Sequence, residues 1–249
     1  MCRGGQARFK AVGCRQPLGK VDEKGILQTP GRIRRQKPTI VSSNLTPCYK
    51  KTMESKNLDD IIWELAEFHG SMPPGLVIGA YMVDYARELL GETKGKLNAV
   101  AETRHCLIDA IQVMTPCTMG NKYLWLVDYG RFALTLYDRD TKQGIRVYID
   151  MKKIPGENYP ELYAFLLRKR DPEILNDMRL REISNAKVID EVNRAKRDIL
   201  SYQKVEVKFP RKPEMLPSIV CRKCSEPFLS DGAGICTACD SKGYYTQLK

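Results

Sequence analysis

The sequence predicts an α+β fold: an antiparallel-rich sheet packed with helices, followed by a small cysteine-bearing module. Three observations carry that expectation. Apolar residues recur at helical spacing in 58–68 and again after Pro73-Pro74-Gly75. Three β-rich runs, 123–127, 131–137 and 145–149, fall together instead of alternating with helices. Two C-x-x-C pairs close the chain.

Taken in order, residues 1–52 show scattered Gly, Pro and Arg without a sustained period, so a disordered basic arm is expected. Its poverty in acids also suits a transit peptide. The run M-E-S-K-N-L-D-D-I-I from Met53 reads as a natural beginning, which would put the arm outside the native chain. Asn57 can cap a helix there, and Asp59 and Asp60 suit the positive end of its dipole. Leu58, Ile61, Ile62, Leu65 and Phe68 form one apolar face, and Gly70 stops the helix. Proline tolerates the first turn, so Pro73-Pro74-Gly75 opens a second helix with Leu76, Ala80, Val83, Ala86 and Leu90 buried.

Lys96–Thr103 alternates as a strand, and Leu107–Met114 is a short helix stopped near Pro116. The three β-rich runs are joined by turn-rich links at 128–130 and 138–144, the pattern of a meander. Helices are expected over about 160–169 and 172–200, then a strand at 204–209. Pro210, Pro213 and Pro217 mark a linker. The domain plan is therefore an arm at 1–52, a core with a helical extension at 53–210, and a cysteine module at 211–249.

Charge narrows the function classes. The net charge of +11 is concentrated in residues 1–52, which hold 12 Lys/Arg against Asp22 and Glu23. The remaining residues carry 29 Lys/Arg and 28 Asp/Glu, so the body is nearly neutral. A nucleic-acid binder needs a basic face on the fold itself, which disfavours nucleic acid as a partner. No apolar run approaches the ~20 residues of a membrane-spanning helix. The start lacks the apolar stretch of a secretory signal, so a cytoplasmic address is expected.

Nine cysteines fall into three groups, and an odd count without a secretion signal argues against a disulfide scaffold. Cys221, Cys224, Cys236 and Cys239 form two knuckles separated by eleven residues. Two close thiolates per knuckle can converge tetrahedrally on one zinc. Four sulfurs fill every position, so that ion would be structural.

Three further strings are specific in combination: F-H-G-S-M-P-P-G-L-V-I-G (68–79), E-T-R-H-C-L-I-D-A-I-Q-V-M-T-P-C-T-M-G (102–120) and D-Y-G-R-F-A-L-T-L-Y (128–137). With the knuckles after them, they resemble the E-subunit family of formylmethanofuran dehydrogenase over about residues 55–245. The resemblance implies an α+β core and a C-terminal zinc finger of treble-clef type. The family's first motif reads F-H-G-H-x-C-P-G. His69 and Gly70 match it, but Ser71 stands in place of the second histidine and Pro73 in place of the cysteine. Cys106, Asp109, Gln112, Thr115, Cys117 and Thr118 match the second motif, and Lys122 lies just beyond as a further polar group.

The resemblance implies a core site at His69, Cys106, Asp109, Gln112, Cys117 and Lys122, stripped of two metal- or nucleophile-grade groups. Each retained residue also has a plainer role. Cys106 and Cys117 suit small buried positions. Asp109 and Gln112, three apart on a helix, can bond locally, and His69 can end its helix. His105 has no counterpart in the motif.

The expected function is a zinc-containing accessory or binding protein with a partly degenerate site. It would hold one structural zinc, with at most a weak second metal in the core cleft. The resemblance implies a homodimer and a partner of the formylmethanofuran dehydrogenase type or another redox enzyme, hence a link to methanogenesis or metal-cofactor metabolism. A second reading is a thiol- or metal-dependent enzyme using His69 with Cys106 or Cys117. A third is a nucleic-acid-binding zinc finger.

Overall fold

A computed structural model describes residues 56–93, 96–208 and 216–246. The expected arm, the Met53 start and the prolines at 210 and 213 lie outside the described residues.

Helix α1, Leu58–His69, begins where the Asn57 side chain accepts the Asp60 N–H at 2.8 Å. It ends where Gly70 takes φ +83 and returns its N–H to the Ala66 carbonyl. That left-handed turn is cheap only for glycine. Helix α2, Pro74–Leu90, is buried on all sides from Pro74 through Val83, where a single stripe was expected. It packs against α1, α3 (Leu107–Met114), α6 (Met178–Ala195) and strands β3 (Ala133–Asp138) and β4 (Gln143–Ile149). A helix enclosed by neighbours has no face left for polar residues.

The sheet has the order β2-β1-β3-β4-β5, with β1 at Leu97–Ala101, β2 at Leu124–Leu126 and β5 at Leu200–Glu206. It is antiparallel throughout except for β1 and β2, which run parallel with Ala99 opposite Leu124. This corrects the expected three-strand meander. Strand β2 does not form a hairpin with β3; β1 lies between them. Helix α3 makes the crossover that a parallel neighbour requires. The 127–131 link then wraps the end of β1: Val127 N–H donates to Ala101 O, and the N–H groups of Tyr129 and Arg131 both donate to Glu102 O. The expected β3–β4 hairpin forms.

Ala99, Ala101, Leu134, Leu136, Ile145 and Val147 of the sheet belong to the same core as the helices. Asn98, Val100, Glu102, Thr135 and Tyr137 alternate with them and are buried too. The expected 172–200 helix is two helices, α5 (Pro172–Asn176) and α6, because the Asp177 carboxylate accepts the N–H groups of Arg179 and Leu180 and starts a new helix. Helix α4 covers Pro160–Leu166. Lys196, at φ +47, ends α6 early, so β5 begins at Leu200 and not at 204. The C-terminal module contains an antiparallel hairpin of β6 (Ser218–Val220) and β7 (Pro227–Leu229), then a π-helical turn, Ala238–Lys242.

Candidate metal centre and core site

Cys221 follows β6 directly, Cys224 ends the turn after it, and Cys236 and Cys239 flank the start of the π-helical turn. Their four sulfurs lie within 4.8 Å of one another, a cluster that can hold a metal ion. The knuckle is shaped by the chain itself. Ser225 takes φ +62 and donates its N–H to the Cys221 carbonyl, while Cys221 N–H donates to Glu226 O. Gly232, at φ +128, returns its N–H to the Ser230 hydroxyl, and the Gly234 carbonyl accepts the Arg222 N–H.

Backbone N–H groups from Cys236 and Cys224 hold the Cys221 thiol down to about 6. The Cys236 N–H lies 3.3 Å from its sulfur. Cys239 moves the opposite way, to about 12, because the neighbouring sulfurs, Cys236 first, oppose its ionisation. Four crowded sulfurs cannot all ionise without a cation among them, and a bound metal reverses that repulsion.

The core site is smaller than expected. His69, the last residue of α1, places Nδ1 2.6 Å from Asp109 Oδ2 in the first turn of α3. The Asp109 carboxylate accepts the His69 Nδ1–H, which orients the ring. Both side chains are about one-quarter exposed, at 25% and 28%. Cys106 precedes α3, and its sulfur lies against the first turn of α2, where a Cβ on Gly75 would sit 3.4 Å from it. Burial raises the Cys106 thiol; its own backbone N–H opposes this, and Asp109 adds to it.

The other expected members turn elsewhere. Cys117 is fully buried beyond the far end of α3, where its thiol donates to Leu97 O at 3.3 Å and burial pushes it up to about 11. Gln112 Oε1 accepts the Met119 N–H at 3.1 Å. Lys122 is an exposed turn residue at φ +63. The loop between Cys117 and Tyr123 is tied by Asn121, whose Oδ1 accepts the N–H groups of Thr118 and Tyr123. Thr115 Oγ1 donates to Ile111 O and accepts the Cys117 N–H. Much of the second motif therefore shapes a loop.

Sequence reasoning missed a buried charge cluster. Glu102 accepts from Arg146 Nε at 2.7 Å, Arg146 Nη2 at 2.9 Å and Arg131 Nε at 2.9 Å. A charge closing an alternating strand was the available signal. Two cavities, of about 700 and 320 Å³, lie away from the core pair. The larger lies between the start of α1 and the end of α6, and the smaller borders Glu102 and Arg146.

A helix-backed mixed sheet, a four-cysteine module and a carboxylate-oriented histidine define an α+β protein with a candidate metal centre. Residues 68–207 match the family described as FmdE, molybdenum formylmethanofuran dehydrogenase operon, and the chain belongs to that family. A solved FmdE-like protein of the tungsten formylmethanofuran dehydrogenase type, from Syntrophus aciditrophicus, is similar at 29% identity and TM-score 0.65. That likeness covers 78% of this chain and 97% of the other. A probable S-adenosyl-L-methionine-binding protein of Archaeoglobus fulgidus is 26% identical over 211 residues, 79% of this chain. The chain spans only 57% of that relative's length.

Proposed function

We propose that this chain is a zinc-containing, cytoplasmic accessory or binding protein of the FmdE family. Its C-terminal module holds one structural zinc, and its core site has kept a histidine–aspartate pair without the donors for tight metal binding or thiol chemistry. The carrying observation is the separation of the core thiols. Cys106 and Cys117 lie beyond opposite ends of the eight-residue α3, which spans about 12 Å. Only Cys106 belongs to the end that carries Asp109, and its environment favours the neutral thiol.

The module fits zinc by its own chemistry. Tetrahedral zinc with sulfur at about 2.3 Å separates sulfurs by about 3.8 Å, and Cys224 and Cys236 are 3.9 Å apart. At the core, exposed Ser71 and half-buried Pro73 supply no strong donor beside His69. The names of the family and of its solved member support a role beside a molybdenum or tungsten enzyme of one-carbon metabolism, as in methanogenesis. Exposed Trp63 and Phe68, on the helix that ends in His69, offer a protein partner or a second copy an apolar surface.

Elemental analysis after mild chelation tests the proposal: one zinc per chain is expected. The double change Ser71→His and Pro73→Cys should add a second equivalent, since Pro74 still opens α2. Two tightly held metals in the unchanged protein would overturn the degenerate-site reading and favour an enzyme built on His69. The Archaeoglobus fulgidus relative makes S-adenosyl-L-methionine the first organic ligand to titrate. Saturable binding that Asp109→Asn weakens would make the core pair its receptor.

A further inference from the structure

Strand β5, Leu200–Glu206, closes one side of the sheet and pairs with β4 alone among the described strands. Asp150 N–H donates to Ile199 O and Val207 N–H to Lys142 O, so the odd-numbered residues from 199 to 207 turn their backbone groups toward β4. The even-numbered residues turn theirs outward. At Leu200 that outer edge is closed: its N–H donates to Arg197 O, and its carbonyl accepts from Lys153 Nζ at 2.6 Å. From Tyr202 onward no partner among the described residues meets it. Tyr202, Lys204, Glu206 and Lys208 are all exposed.

An open strand edge of this length recruits another strand unless something blocks it. A lysine in mid-edge is a common block, and Lys204 stands there. Glu206, two residues on, lies on the same face and reverses that effect when the incoming strand is another β5. Across such a seam the even-numbered residues alone can exchange backbone bonds, which restricts the register. Centring the pair on Gln203 sets Glu206 against Leu200, whose edge is taken. Centring it on Lys204 or on Glu206 puts like charges face to face. Centring it on Val205 sets Lys204 opposite the partner's Glu206 and Tyr202 opposite the partner's Lys208, each twice by symmetry. Val205 then meets its own copy on the face that carries Arg146.

We propose that β5 pairs antiparallel with β5 of a second copy of this chain, centred on Val205, so that two five-stranded sheets become one. The occupant is a second copy because the charges along the edge complement themselves. Any other strand would have to supply an acid and a base in the same order. The contact uses neither the core pair nor the cysteine cluster, so its failure would leave the proposed function untouched.

Sedimentation equilibrium of the full chain at low ionic strength should show a mass that rises with concentration from one chain toward two. Lys204→Glu or Glu206→Lys alone sets two like-charged pairs across the seam and should weaken association about tenfold. Mixing the two variants should restore it, because the unlike chains then oppose acid and base at both positions. On β4 the uncharged Ile145 and Gln143 lie opposite these two residues, so folding should not change. The register has its own test. Residues of a non-hydrogen-bonded pair lie about 4.5 Å apart at Cα, within reach of a disulfide. Val205→Cys should therefore cross-link to its own copy under mild oxidation, read by mass spectrometry of the linked peptide, while Gln203→Cys should not. A mass of one chain at every concentration, or cross-linking at 203 as readily as at 205, would overturn the proposal. So would association that ignores both charge reversals, which would assign the dimer to another surface.

Discussion

Changing Glu102 to Gln keeps the side chain's shape and removes the charge that three N–H groups address. The structure divides the cost between two arginines. Glu102 is 7% exposed, Arg146 16% and Arg131 58%. Breaking a buried pair costs about 3–5 kcal/mol, whereas an exposed partner contributes about 0.2–1 kcal/mol. Glu102→Gln and Arg146→Met should therefore each cost about 3–5 kcal/mol, and Arg131→Met less than about 1. At about 2–4 °C per kcal/mol for a chain of this size, melting should fall by about 6–20 °C for the first two. Arg131→Met should lower it by less than about 4 °C.

The pH dependence has a definite sign. Burial alone would raise the Glu102 carboxyl, but Arg146 and Arg131 overcome it and hold the group below its ordinary 4.5. The stabilisation is complete above that ordinary value and is lost as pH falls through the lowered one. The melting gap between the natural protein and Glu102→Gln should close below about pH 4.5. Calorimetric melts at several pH values measure both effects. Equal losses for Arg131→Met and Arg146→Met, or a gap that widens in acid, would refute the reasoning.

Changing Cys221 or Cys239 to Ser should release the metal while the core, which has its own apolar cluster, still unfolds cooperatively. Retention of one equivalent by both variants, measured by elemental analysis, would remove the four-sulfur assignment. Gly144→Ala should destabilise the β3–β4 hairpin by about 1–3 kcal/mol or more, since the new Cβ would meet Leu136 O and Tyr137 Cβ at 2.5 Å. Denaturant titration measures it, and an unchanged midpoint would contradict the packing described.

Local chemistry was legible in the sequence wherever one residue decided the outcome. Asn57, Gly70 and Pro74 bound their helices as expected, and the two C-x-x-C pairs converge. Pairing was less legible. The run at 124–126 has the composition of any strand, and nothing in it says that its neighbour is β1 across a helix and not β3 across a three-residue turn. Asp177 was hidden because a cap inside a charged helical stretch reads as one more solvated acid. At the core site, the sequence could propose His69 and Asp109 but not their bond, which needs the close approach of α1 and α3. It also could not separate Cys106 from Cys117, because an eleven-residue interval does not show which way each thiol turns.

The crossover from β1 through α3 to β2 has a consequence for how the molecule assembles. Asp109 and Cys106 ride on the connecting segment of a parallel pair, so that segment is both the linker and the carrier of the candidate site. A hairpin can close early and alone, but a parallel edge waits until the intervening helix has found its seat. The His69–Asp109 contact joins residues 40 apart and belongs to that late event. Substitutions that loosen the seat of α3 should therefore remove the site and the sheet edge together, and hydrogen exchange should show Ala99, Leu124 and the first turn of α3 opening as one unit.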